Sequence, residues 1–169
     1  SIIKESKDID GKTIEVSAGR GFVVSADGII VADAALVREQ EVYYVKNDSG
    51  KFNADFISTD KAGFSFLKIG APLDEKDKIY FTAPVFGDFD KMKEGQKILV
   101  LGNNISSFIF EGNKNININV VKSNAGGLVI NLDGEALGIA LLGEETNFVS
   151  IKIVADALKS ADATTQKTP

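Results

Sequence analysis

Asn124-Ala125-Gly126-Gly127-Leu128-Val129-Ile130-Asn131-Leu132-Asp133-Gly134-Glu135-Ala136-Leu137-Gly138-Ile139 is the stretch that decides the architecture of this chain. Leu128–Leu132 has the apolar, branched character of a strand, Asp133-Gly134 is a turn dipeptide, and Glu135–Leu142 is a second strand, so the segment is a hairpin. The glycine pair ahead of it lets the backbone turn sharply and present N–H groups to an oxyanion. A nucleophile directly before the pair would complete a catalytic loop. Ala125 stands there instead, with no proton to give up and no lone pair to attack with.

Working outward, short strand signals recur about every ten residues, broken by Gly, Asp, Asn and Ser, the pattern of an all-β barrel or sandwich. The strands expected are 14–16, 21–25, 29–31, 42–46, 51–58 and 64–69, then 79–82, 96–101, 106–110, 115–121, 128–132, 135–142 and 147–153. Phe52, Phe56, Phe64 and Phe66, at even spacings that keep them on one face of each strand, read as barrel core. Residues 71–78 are charged and contain Pro72, which marks a linker between two halves, 1–73 and 74–160. Residues 154–160 form a short amphipathic helix, and 161–169 a small, polar tail or linker.

Composition narrows the chemistry. The 169 residues include no Cys and no His. Thiolate chemistry, disulfides and Cys-based metal sites are therefore out, as is the usual general base near neutral pH. Net charge is −5 with lysines dispersed among acids, so no basic face for nucleic acid is evident. Apolar runs fall far short of the roughly 20 residues of a membrane helix, and no segment is expected to insert directly. Asp88, Asp90 and Glu94 have neither the number nor the spacing of a Ca²⁺ loop and read as a turn. No metal and no cofactor is expected.

Six segments in order carry a resemblance to HtrA-type, trypsin-like serine protease domains. Gly19-Arg20-Gly21-Phe22 with Ser25-Ala26-Asp27-Gly28 resembles the opening strands of that family. Phe64-Ser65-Phe66-Leu67-Lys68-Ile69, the stretch Gly87 to Gln96, Gly102-Asn103, and Asn131 to Gly138-Ile139 resemble later ones. The resemblance implies a fold of two packed antiparallel six-stranded β-barrels with a short C-terminal helix. It also implies an extracytoplasmic setting, periplasmic or cell-surface, and attachment to further segments.

The departures fall on the chemistry. By the same resemblance, the catalytic histidine, aspartate and serine fall on Ala35, Gly63 and Ala125. Ser123 replaces an oxyanion-hole glycine, and Leu128 the usual proline. The stretch between Gly102 and Ala125 is short for the family's activation and specificity loops. Losing a triad costs on the order of a million-fold in turnover, leaving about a thousand-fold over water. The expected function is thus a pseudoprotease that binds or scaffolds a protein or peptide. Strand addition beside the vestigial cleft would use Ser123, Asn124, Ala125 and Gly126, with Asn147, Phe148, Val149 and Ser150 as the edge. The alternative is an unconventional hydrolase using Ser123 with Lys122. It is disfavoured because neighbours on a strand point to opposite faces. The loop also has a plainer reading, a tight turn kept for folding.

Overall fold

The computed structural model describes residues 1–78, 80–112, 118, 120–143 and 147–165, with side chains to residue 160. The chain divides into two compact units, Ser1–Ala83 and Pro84–Pro169. Among the described residues it is an all-β protein with one C-terminal helix.

The first unit contains β1 (Ile2–Lys7), β2 (Thr13–Gly19), β3 (Gly21–Val23), β4 (Ile29–Asp33), β5 (Tyr43–Asn47), β6 (Gly50–Thr59) and β7 (Phe64–Pro72). Its pairs are antiparallel, in the order β2-β1-β5-β6-β7-β4-β3. The strands at the two ends of that order, β2 and β3, are joined through Arg20 alone, so the sheet closes on itself. Gly19 makes the bend at φ 112. At Gly21 an added Cβ would stand 2.7 Å from the Val31 carbonyl oxygen, too close for any side chain. Counted as one bent strand, β2 and β3 bring the seven strands to the expected six. Ile2, Tyr43, Phe52 and Leu67 fill the interior.

Several local expectations change. β1 was not anticipated: its Lys and Glu mask a strand that β2 and β5 clasp on either side. Ala71 and Pro72 belong to β7 rather than to a linker. The last β7 residue that β4 reaches is Lys68, opposite Ile29, so the N–H that Pro72 lacks is not missed by a second neighbour. Tyr80–Thr82 is not a strand, and Ile79 lies outside the described residues. Phe81 instead sets its ring on Gly28, where an added Cβ would be 2.6 Å from the ring. Phe52, Phe64 and Phe66 are buried and Phe56 packs half-buried against the core, as their spacing requires.

The second unit contains β8 (Lys97–Leu101), β9 (Ile105–Ile109), β10 (Leu128–Ile130), β11 (Ala136–Ala140) and β12 (Phe148–Ser150), followed by α1 (Ile151–Thr165). The antiparallel order is β12-β11-β10-β8-β9. Five strands are described rather than six, because most of the expected strand 115–121 lies outside the described residues. Ile98, Val100, Phe110, Ile118, Val129 and Leu137 form the core. The Phe89 ring meets those of Phe110 and Phe148 at centroid distances of 5.4 and 5.0 Å. The helix is longer than expected at both ends. Buried Ile151 and Val154 begin its apolar face, and it runs through residues read as tail as far as Thr165.

Candidate functional site

The loop before β10 is built as two successive turns. Lys122–Asn124 is a single 3-10 turn, not a strand. Strand alternation therefore does not send Lys122 and Ser123 to opposite faces. Lys122 is exposed and Ser123 half-buried, on a short turn that holds Asn124 buried.

Asn124–Gly127 is then a type II β-turn. Ala125 has φ −63 and ψ 135, Gly126 has φ 75, and the Gly127 N–H donates to the Asn124 carbonyl at 3.0 Å. Gly126 is required by its positive φ. Gly127 is required by crowding, since a Cβ there would lie 2.7 Å from the Asn124 oxygen and 3.0 Å from that of Leu101.

The loop's donors are directed inward. The Asn124 N–H donates to Val121 O at 2.8 Å, that of Ala125 to Lys122 O at 3.4 Å, and that of Gly126 to Ala140 O at 2.8 Å. With Gly127, four consecutive N–H groups have acceptors inside the protein. Ala125 itself is wholly buried. A nucleophile at this position would need a substrate to reach a side chain that solvent does not touch.

Asn124 ties the loop down. Its Nδ2 donates to Ser106 Oγ at 2.9 Å, and its Oδ1 accepts from the Asn104 N–H at 3.4 Å. Gly102 makes room for it, because a Cβ there would sit 2.2 Å from Asn124 Oδ1. This explains the Gly102-Asn103 match in structural terms. This role of Asn124, expected to line a binding cleft, is not legible in the sequence, because its partners lie 18 and 20 residues away.

Asn147 is committed similarly. Its Oδ1 accepts from the Ile118 N–H at 3.0 Å and its Nδ2 donates to the Ile118 carbonyl, so this buried side chain stands in for a strand neighbour. Val149 is buried. The Phe148 ring lies against Gly138, where a Cβ would be 2.6 Å from it. Phe148 and Ser150 remain half-exposed. Because the Leu141 N–H bonds the Asn147 carbonyl, the antiparallel alternation turns the Val149 backbone groups toward β11 and those of Phe148 and Ser150 away from it. β12 ends its sheet order among the described residues.

The other two positions both lie in the first unit. The Ala34 N–H donates to the Gly63 carbonyl at 3.0 Å, so the segments carrying Ala35 and Gly63 meet. Ala35 is exposed on a turn held by Asp33, whose Oδ1 accepts the Ala35 N–H at 2.8 Å. A histidine at 35 beside an aspartate at 63 would fit that juxtaposition. The residues present offer only a methyl group and a hydrogen.

Comparisons with known proteins agree with the architecture. No protein-family model matches the chain. A "Probable periplasmic serine endoprotease DegP-like" of Brucella suis is 30% identical over 80% of this chain, in a match spanning 29% of that relative. The "Serine protease HTRA1B" of Danio rerio is 26% identical over 90% of this chain and 36% of its own length. A DegP-like relative of Bartonella henselae is 27% identical over 73% of this chain. The chain thus spans about a third of the curated relatives it matches. Strand order, glycine placement and these similarities together support an HtrA-like domain of trypsin fold.

Proposed function

We propose that this chain is a non-catalytic HtrA-like domain that holds a protein or peptide partner. The observation that carries the non-catalytic part is the residue inventory: no histidine in 169 residues, and a buried methyl group where the nucleophile would stand. Neither the Ala125 loop nor the Ala34–Gly63 contact supplies a base, and the loop's N–H groups are engaged. Binding through a surviving oxyanion pocket would need those bonds broken. The edge of β12 is the better candidate, since the Phe148 and Ser150 backbone groups turned from β11 offer a template for an added strand. An extracytoplasmic setting follows by analogy with the relatives named as periplasmic.

The test is titration of the isotope-labelled domain with a library of unstructured peptides, followed by chemical-shift mapping. Saturable shifts centred on Phe148–Ser150 are expected, with Ser123–Gly126 moving less. Absence of any saturable shift at high micromolar peptide would leave a purely structural role. Turnover that disappears in Ser123→Ala would instead establish the hydrolase alternative.

A further inference from the structure

The bend at Gly19 leaves part of the first sheet with a single neighbour. Beyond the bend, Gly21–Val23 of β3 reaches β4. Before it, Thr13–Ser17 of β2 pairs with β1 and, among the described residues, with no other strand. All seven strands of this sheet are described along their whole length. β5 accompanies β1 along Ile2–Lys4, so the hairpin from Glu5 to Glu15 runs on past it as a two-stranded arm.

The hydrogen-bond phase of the arm is fixed at both ends. The Asp8 N–H donates to the Lys12 carbonyl at 2.9 Å, and the Glu5 N–H donates to the Val42 carbonyl on the β5 side at 3.3 Å. Alternation then turns the backbone groups of Thr13, Glu15 and Ser17 away from β1. The side chains of these three residues are exposed, and so is that of Ile14 between the first two. Strand groups turned outward are a template for another strand, and the charges beside them decide which strand is accepted. Lys7 Nζ donates to Thr13 Oγ1 at 2.7 Å, which places a cation over Thr13. Two residues on, the Glu15 side chain is half exposed even in its ion pair with Lys51.

We propose that β2 pairs with β2 of a second copy of this chain, antiparallel about a two-fold axis at Ile14. A two-fold contact must be self-complementary. In this register Thr13 of each copy faces Glu15 of the other as a hydrogen-bonded pair, so the Lys7 cation of each meets the Glu15 carboxylate of the other. The two Ile14 side chains meet at the axis as a non-hydrogen-bonded pair, the closer of the two kinds. Opposite charges across a ladder stabilise it, and like charges directly opposite destabilise it. An axis at Glu15 would set that carboxylate against its own copy. An axis at Thr13 would bring the two Lys7 cations together. Ile14 is the position between them that avoids both. The pairing joins two arms into one four-stranded sheet, and it lies in the first unit, so it requires neither the β12 edge nor a peptide bound there.

Complementary charge reversal tests the contact. Sedimentation of the unmodified chain should show concentration-dependent dimer in the micromolar range. Lys7→Glu and Glu15→Lys should each be monomeric alone, with circular dichroism unchanged because exposed ion pairs contribute little to folding. Mixed together they should dimerise again, since one copy then offers two cations and the other two carboxylates. The chain has no cysteine of its own. Ile14→Cys therefore sets one pair of thiols across the axis, at a Cα separation of about 4.5 Å that a disulfide spans. Under mild oxidation it is expected to give covalent dimer about tenfold faster than Ser49→Cys, a control on the β5–β6 turn, because pairing raises the effective thiol concentration. An unmodified chain still monomeric at about 200 μM would overturn the proposal. A mixture that fails to recover dimer, dimer that persists in both single variants, or Ile14→Cys no faster than the control would overturn it equally.

Discussion

A methyl group at position 125 decides less for stability than for chemistry. Ala125 is buried at the second position of a type II turn, whose geometry serine tolerates. Ala125→Ser is therefore expected to fold, at a cost of about 1–2 kcal/mol for burying a hydroxyl. It should gain no activity, because the sequence holds no histidine to serve as its base. The check is incubation with a fluorophosphonate probe and a fluorogenic protein substrate beside the unmodified chain; labelling above background would refute the non-catalytic reading. At this scale the sequence was informative where identity alone matters, as for the absent histidine. It was uninformative where a partner lies far along the chain, as for Asn124 with Ser106 and Asn147 with Ile118. An asparagine in a loop reads as polar and available until its acceptors are located.

Among elements, the turns were more legible than the strand ends. Ser25-Ala26-Asp27-Gly28 forms the expected turn, closed by Ser25 Oγ accepting from the Ile29 N–H at 2.9 Å. Gly28 itself has φ 89. Its second duty, providing the seat for Phe81, could not be read because that contact joins residues 53 apart in sequence. Gly28→Ala should cost about 2–4 kcal/mol, from left-handed backbone strain and displacement of the Phe81 ring. Urea denaturation would measure the loss, and faster amide exchange confined first to residues 80–83 would identify Phe81 as the displaced group. No change in exchange there would show that the ring is not seated on Gly28. β1 escaped the sequence reading for a related reason. Its strand character comes from having neighbours on both sides, while its own residues, Ile-Ile-Lys-Glu-Ser-Lys, alternate poorly.

For the molecule as a whole, the first unit's stability has a pH dependence that can be assigned. Tyr43 is buried in the core, with its hydroxyl accepting from the Arg38 N–H at 2.7 Å and donating to Glu41 Oε2 at 2.6 Å. Burial, then the Glu41 hydrogen bond, push its pKa from 10.0 up to about 12. The folded chain thus holds this proton more tightly than the unfolded one. The contribution is complete below pH 10 and is lost as pH rises toward 12. Glu41 behaves oppositely: hydrogen bonds from Lys4 and then Tyr43 hold its carboxyl below the ordinary range. Its stabilisation is present above pH 4.5 and fades as pH falls through the lowered value. Between pH 10 and 12 the urea midpoint of the unmodified chain should fall more steeply than that of Tyr43→Phe, and parallel profiles would refute the assignment. The barrel architecture was legible because it is repeated in a dozen short apolar runs. The closure of the first sheet was not, since it depends on a single bend at Gly19.

The glycines around the Ala125 loop have a consequence for how such chains are recognised. Gly102, Gly126 and Gly127 are held in place by crowding and by backbone sign, and none of those constraints involves a reacting atom. A lineage that abandoned hydrolysis would still be penalised for replacing them, while the backbone geometry of the turn accommodates serine and alanine alike at 125. The signature by which proteases are recognised is thus partly a record of masonry. It outlasts the trade practised inside, and a search keyed to it enumerates buildings rather than occupants.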